Sequence, residues 1–128
     1  MNVVVDSSGW VEFFVDGPNG EWFAQAIHDA SELIVPSITV LEVYRYVLHH
    51  RGRQDALQAA ATMRQGRVVD LDEGLAIEAA ELGASLKLLL ADSVIYATTL
   101  AAEAELWTQD VDFEGLASVR FKSKRHAR

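Results

Sequence analysis

Short β-branched segments alternate with longer amphipathic segments along this chain, and this alternation constrains its fold more than any other feature. Five strands are predicted, at residues 3–5, 33–35, 68–69, 106–108 and 119–121. Helices, with apolar residues recurring every three or four positions, are predicted between most of them. Strands that alternate with helices form a parallel sheet covered by helices on both faces. We therefore predict an α/β fold, a three-layer α/β/α sandwich around a mainly parallel sheet of about five strands.

Composition limits the classes of function. The chain has 128 residues and no cysteine, which excludes disulfides, zinc–thiolate sites and thiol nucleophiles. The net charge of −8 argues against a protein that coats nucleic acid electrostatically. The N-terminal segment MNVVVDSSG lacks the basic region of a signal peptide, and the uncharged run 93–102 is far shorter than the roughly 20 residues of a membrane span. We expect a cytoplasmic protein that does not contact a membrane.

Basic residues are concentrated at one end of the chain. Five of the 11 Lys and Arg residues fall in the segment RFKSKRHAR, residues 120–128. We therefore separate a single domain at residues 1–121 from a basic C-terminal tail at residues 122–128. The tail is either a disordered solubilising end or an arm that binds a nucleic-acid backbone.

Acidic residues lie where a parallel α/β sheet usually binds its ligands, outside the carboxyl ends of the strands. Asp6 directly follows the first strand, and Asp110 and Asp112 follow the fourth. Asp92 opens a helix, and Glu42 lies in the first or second turn of another. Because parallel strands end at the same edge of a sheet, we expect most of these carboxylates to lie at that edge.

Each acid, taken alone, also has a purely structural interpretation. The Asp-Ser-Ser cluster at 6–8 suits a turn in which Ser7 or Ser8 caps the following helix. Residues 39–42 match a capping box, and Asp92 is a good N-cap for the apolar helix after it. Residues 110–112 suit a solvated turn.

Taken together, the acids favour a metal site. Two like charges about 4 Å apart repel by about 4 kcal/mol at an effective dielectric constant of 20. No Lys or Arg close to the carboxylates in these motifs is placed to neutralise such a cluster, whereas a hard divalent cation with oxygen ligands would do so. Mg²⁺ or Mn²⁺ suits a site made of carboxylates and water.

Four segments in this order resemble a known family, the PIN (PilT N-terminus) domain. They are VVVDSS near the N-terminus, ITVLEVYR around Glu42, LADSVIYATTLA around Asp92, and TQDVDF from Thr108. The resemblance covers residues 2–121, and the chain length is most similar to the VapC-type toxin nucleases. It implies a metal-dependent endoribonuclease, the toxin of a type II toxin–antitoxin pair. It also implies a cognate antitoxin, an RNA substrate and a homodimer.

The resemblance also implies roles for individual residues. The catalytic and metal-binding acids would be Asp6, Glu42, Asp92 and Asp110, with Asp112 as an additional metal ligand. Ser7 would support the first aspartate and Thr108 would orient the last carboxylate. We expect the first three acids of the quartet to hold one ion, with the remaining two acids binding through water or a second ion.

The helix that carries Glu42 offers candidate RNA contacts. Arg45, Tyr46 and His49 lie three, four and seven positions after Glu42, so they extend from the metal site along one face. Phosphate contacts from such side chains would position RNA without reading its sequence. A solvated helix face is the alternative. We expect the four histidines, at positions 28, 49, 50 and 126, to lie on the surface.

Three other classes of protein fit the chain less well. A receiver domain would need a phosphate-accepting aspartate near residue 50, where this chain has HHRGR. A catalytically idle PIN-fold binding module would be expected to lose some acids, and this chain has all of them. An RNA-processing PIN nuclease without an antitoxin has the same residues and stays open.

Overall fold

The computed structural model of the protein describes residues 1–124 and shows a five-stranded, wholly parallel sheet in the order β3-β2-β1-β4-β5. The strands are β1 (Asn2–Val5), β2 (Glu32–Pro36), β3 (Arg67–Val69), β4 (Glu105–Thr108) and β5 (Val119–Phe121). This confirms the predicted fold class and places every predicted strand within two residues of its position. The first strand of the chain lies at the centre of the sheet.

Six α-helices and one 3₁₀ turn connect the strands. The helices are α1 (Ser7–Phe14), α2 (Gly20–Asp29), α3 (Ser37–Arg51), α4 (Arg53–Met63), α5 (Glu73–Leu86) and α6 (Leu90–Ala101). The 3₁₀ turn, Val111–Phe113, follows β4 and was not predicted.

The sheet separates two apolar layers, and the alternating side chains of β1 contribute to both. Val3 and Val5 pack in a core with residues of α1 to α4, such as Trp10 and Phe23. Val4 points to the other layer, where it packs with Ile95 of α6 and other residues. The period of two that defines a strand therefore produces the three-layer sandwich.

The start of α1 differs from the predicted cap. Asp6, not Ser7 or Ser8, is the N-cap, and its Oδ1 accepts a hydrogen bond from the Gly9 backbone N–H at 2.9 Å. Gly9 lies so close to the Phe23 ring that a Cβ atom would collide with it. A glycine at this position lets the first turn of α1, and with it Asp6, approach α2 closely.

Among residues 1–124, no helix is long and apolar enough to cross a membrane. Residues 122–124 of the basic tail are described, but residues 125–128 are not. The expectations for His126 and for most of the tail therefore lie outside the described residues.

Candidate metal centre

The carboxyl edge of the sheet brings the acidic motifs together, because all the strands run in the same direction. Asp6 leaves the end of β1, and Thr108 ends the neighbouring strand β4 just before Asp110. Helices α3 and α6 start at the same edge and carry Glu42 and Asp92 in their first two turns.

Asp6 is buried and receives hydrogen bonds on both oxygens. Its Oδ2 accepts a bond from the Thr108 hydroxyl at 2.7 Å, and its Oδ1 accepts the Gly9 N–H. The Ser8 hydroxyl lies 3.0 Å from each oxygen. Burial nevertheless raises the pKa of Asp6 to about 6, against the lowering effect of these three donors, and the Asp110 charge adds a smaller rise.

Glu42 and Asp92 do not cap their helices, so the capping interpretation is wrong for both. Helix α3 has Pro36 and α6 has Leu89 at the N-cap, and neither helix has a side-chain cap. Glu42 instead accepts a 2.6 Å hydrogen bond from the Ser7 hydroxyl on α1. Ser7 therefore orients Glu42 rather than the neighbouring Asp6.

The other four acids of the cluster all act electrostatically on Asp92. It is half-buried, and its carboxylate accepts no hydrogen bond from residues 1–124. Desolvation raises its pKa to about 7, and the remaining contributions come from four like charges. In decreasing order they are Asp110, Asp6, Glu42 and Asp112. All five predicted acids are thus close enough to interact electrostatically at one site.

Asp110 and Asp112 are positioned by the backbone after β4. The Thr108 hydroxyl, which donates to Asp6, accepts the Asp110 N–H at 2.9 Å, and Asp110 Oδ1 accepts the Asp112 N–H at 2.9 Å. The 3₁₀ turn that follows is fixed by the fully buried ring of Phe113. Thr108 therefore links Asp6 to the loop that carries the last two acids.

The most compact part of the cluster is a triplet made of Asp92, Asp110 and Asp112. Each offers one carboxylate oxygen, and the three oxygens lie within 4.8 Å of one another. Asp6 and Glu42 are outside this triplet. The structure thus groups Asp92 with the two acids after β4, whereas the sequence suggested grouping it with Asp6 and Glu42.

The donor set fits a hard divalent cation. All five side chains offer carboxylate oxygens, which are the ligands Mg²⁺ and Mn²⁺ prefer. Within residues 1–124 the ion pairs are Arg67 with Glu32 and Arg120 with Glu105, so no Lys or Arg in that range neutralises the cluster. Crowded like charges and a raised Asp92 pKa indicate a site whose charge is incompletely compensated by the protein.

The side chains suggested as RNA contacts are accessible. Arg45, Tyr46 and His49 are all exposed on α3, and Tyr46 stacks on His50 with ring centroids 4.1 Å apart. His28, His49 and His50 are exposed, as predicted.

Sequence patterns did not identify two buried amides behind the cluster, Asn19 and Gln109. Asn19 occurs in a turn motif, DGPNG, where asparagine is ordinary, and Gln109 is an unremarkable residue between two motif positions. No signal in one sequence pairs residues 90 positions apart, as these are.

The sequence matches the family model described as PIN domain over residues 3–119. The chain belongs to the PIN domain family. Residues 3–119 contain all five acids of the cluster and reach from β1 to the first residue of β5. Comparison with curated proteins finds no significant match.

Solved structures with the PIN fold of this chain include components of toxin–antitoxin systems. A toxin–antitoxin complex from Klebsiella pneumoniae aligns with a TM-score of 0.76 at 23% identity, covering 92% of this chain and 95% of that one. VapBC2 from Rickettsia felis, bound to a DNA fragment from its promoter, aligns at 0.74 and 14% identity, covering 96% and 98%. VapC20 from Mycobacterium tuberculosis, a Sarcin–Ricin loop cleaving toxin, aligns at 0.73 and 18% identity, covering 92% and 98%. At these identities the likeness establishes a shared fold.

Proposed function

We propose that this PIN-domain protein is a metal-dependent endoribonuclease and the toxin of a type II toxin–antitoxin pair. The observation that carries the nuclease part is the convergence of five carboxylates, with Asp92, Asp110 and Asp112 offering oxygens within 4.8 Å of one another. The toxin part rests on the similarity of the fold to VapC20 and to toxin–antitoxin complexes.

In this proposal the triplet Asp92, Asp110 and Asp112 holds a divalent ion, and Asp6 and Glu42 bind through water or hold a second ion. Bound Mg²⁺ or Mn²⁺ would polarise the scissile phosphate and lower the pKa of a water molecule for in-line attack. The residues that donate hydrogen bonds to these carboxylates orient them as ligands. Asp92 must give up the proton that its raised pKa favours, so metal binding releases protons near neutral pH.

The substrate is proposed to be RNA, approached along α3. Arg45 supplies a positive charge for the phosphate backbone, and the exposed rings of Tyr46 and His49 offer stacking surfaces for unpaired bases. These three side chains lie one or two helical turns beyond Glu42, so the RNA backbone would run from the acidic cluster along the helix.

An antitoxin that covers the site is supported by exposed aliphatic side chains beside the acids. Leu90 and Leu89, just before Asp92, are 85% and 68% exposed, and Val111, between the two acids after β4, is 68% exposed. In this proposal these side chains form part of the surface that the antitoxin contacts. A homodimer is part of the same proposal.

We expect the purified protein to cleave single-stranded or structured RNA only when Mg²⁺ or Mn²⁺ is present. EDTA should stop cleavage, because no Lys or Arg among the described residues pairs with the carboxylates and could replace the metal ion. Added metal should restore cleavage. Gel analysis of a broad RNA panel measures this, with Glu78→Gln, an exposed acid on α5, as the control for loss of one negative charge. An intact panel at saturating metal would favour the idle binding module instead.

We expect expression of the protein alone to arrest bacterial growth, and co-expression of the adjacent small gene to restore it through a direct complex. The reason is that uncontrolled RNA cleavage halts translation until a partner covers the site. Growth curves and co-purification measure both effects, and Asp92→Asn serves as the harmless control. Unimpaired growth with a protein that cleaves RNA in vitro would identify an RNA-processing nuclease without an antitoxin.

A further inference from the structure

Two buried side-chain amides, Asn19 and Gln109, bond to each other, and the proposed chemistry does not use them. Asn19 is 1% exposed and Gln109 is 5% exposed. Asn19 Nδ2 donates a 3.0 Å hydrogen bond to Gln109 Oε1 and another 3.0 Å bond to the backbone carbonyl of Ser123. A buried pair of neutral amides this far apart in sequence needs a structural or functional reason.

The direction of these hydrogen bonds is fixed by the backbone at both ends. The Ser123 carbonyl can only accept, so the Asn19 atom that faces it must be Nδ2. The second Nδ2 proton then requires the oxygen of Gln109, which leaves Gln109 Nε2 facing the Ser8 carbonyl at 3.5 Å. Donors and acceptors are therefore matched at each contact from Ser123 through Asn19 and Gln109 to Ser8, and the buried Asn19 Oδ1 has no hydrogen-bond partner among residues 1–124.

Asn19 is itself held by a buried acid on α1. Its backbone N–H donates to Glu12 Oε2 at 2.9 Å, and Glu12 is 8% exposed. The Gly17 N–H donates to the Glu12 carbonyl at 3.0 Å, and a Cβ at Gly17 would collide with the Glu12 carboxylate. The turn from α1 to α2 is thus built around Glu12, and it presents Asn19 to Gln109 in one position.

The contact between Asn19 and Gln109 matters because Gln109 lies next to residues that position the acids. Gln109 lies between Thr108, which donates to Asp6, and Asp110, and the Ser8 that it faces also donates to Asp6. The amide pair therefore joins the start of α1 to the loop that carries Asp110 and Asp112.

We propose that Asn19 is a positioning residue for the carboxylate cluster. Through Gln109 it fixes the backbone from Thr108 to Asp112 relative to the start of α1, and this keeps the two acids after β4 within reach of Asp92. The metal part of this inference rests on the proposed function. The positioning of the loop does not.

Asn19→Ala should speed backbone amide hydrogen exchange at residues 110–113 by about tenfold and weaken Mn²⁺ binding by roughly 10- to 100-fold. The matched control is Asn2→Ala, which makes the same substitution at the opposite edge of the sheet and removes a 3.3 Å hydrogen bond to the Ala102 carbonyl. The control should lower the melting temperature but change neither the exchange at 110–113 nor the affinity for Mn²⁺. Exchange by mass spectrometry and calorimetric titration with Mn²⁺ measure the two effects.

Gln109→Met removes the same contact from its other end. It also tests the positioning role of the amide pair if Asn19→Ala does not fold. Because the two amides act through each other, the loss of Mn²⁺ affinity in the double variant should be no larger than in either single variant. Additive losses, or unchanged exchange at 110–113 in the single variants, would overturn the proposal. A wild-type protein that binds no Mn²⁺ would count against the proposed function, while the exchange measurement would still decide the role of Asn19.

Discussion

Asp92→Asn is expected to reduce RNA cleavage by at least about 100-fold while making the metal-free protein more stable. Asparagine keeps the shape of the side chain but removes the charge that a divalent ion needs. In the wild type, desolvation and then repulsion from four neighbouring acids raise the pKa of Asp92 to about 7, and the substitution removes that repulsion. Because Asp92 is half-exposed, solvent screening limits the gain to the order of 1 kcal/mol, or roughly 3–6 °C in melting temperature.

The same groups give the metal-free protein a defined pH dependence. Asp92 and Asp6 have folded-state pKa values of about 7 and about 6, above the ordinary value of 3.8. A raised carboxyl pKa contributes stability that is complete below the unfolded pKa and is lost as pH rises through the folded pKa. The melting temperature of the metal-free wild type should therefore fall between about pH 5 and about pH 8, with a smaller fall in Asp92→Asn.

The control for Asp92→Asn is Asp29→Asn, which makes the same chemical change at an exposed residue at the end of α2. Cleavage assays and thermal melts in EDTA over this pH range measure both expectations. Full activity in Asp92→Asn, or a melting temperature below that of the wild type, would show that the charge of Asp92 is not part of a metal site.

Thr108→Val is expected to weaken both metal binding and folding, although Thr108 is not proposed as a ligand. The hydroxyl donates to Asp6 and accepts the Asp110 N–H, so valine removes one of the donors to a buried carboxylate and leaves the Asp110 N–H without its partner. We expect a loss of about 2–3 kcal/mol in the free energy of unfolding. Metal affinity should fall by roughly 10- to 100-fold, since the pKa of Asp6 rises further and the loop carrying Asp110 loosens.

Thr98→Val is the matched control for this substitution. Thr98 is equally buried, but its hydroxyl bonds only the Val94 carbonyl one turn earlier in α6. Loss of the Thr98 hydroxyl should therefore have a small effect on the free energy of unfolding and no effect on metal affinity. Denaturant unfolding and Mn²⁺ titration compare the two variants, and equal effects of both would contradict a special role for Thr108.

The sequence predicted the elements of this fold because its local patterns agree with its long-range structure. Val3–Val5 alternate between two cores, and each of the other strands is bounded by turn or helix signals. Parallel strands place their carboxyl ends together, so the positions of Asp6 and Asp110 after two strands were enough to predict that they meet.

The details that the sequence did not reveal depend on contacts between distant residues. Asp6 and Ser7 are both reasonable caps for α1, and only the positions of Thr108 and Glu42 determine that the serine turns to the glutamate. Asp112 joins Asp92 because burial of Phe113 bends the chain into a 3₁₀ turn, which no local pattern in this chain signals. The pairing of Asn19 with Gln109 is of the same kind.

The central position of β1 also determines when the site can form during synthesis. Its hydrogen bond from Thr108 to Asp6 joins residues 102 positions apart, and β1 pairs with β4 along its length. At roughly 5–20 residues per second, Asp6 leaves the ribosome several seconds before the strand that completes its surroundings. A nascent chain therefore has no carboxylate cluster, and the complete set of ligands assembles in a single late step. On the proposed function, an inhibitory partner would need to be present only when that step occurs, and the order in which the two proteins are translated would decide whether the cell meets an unguarded nuclease.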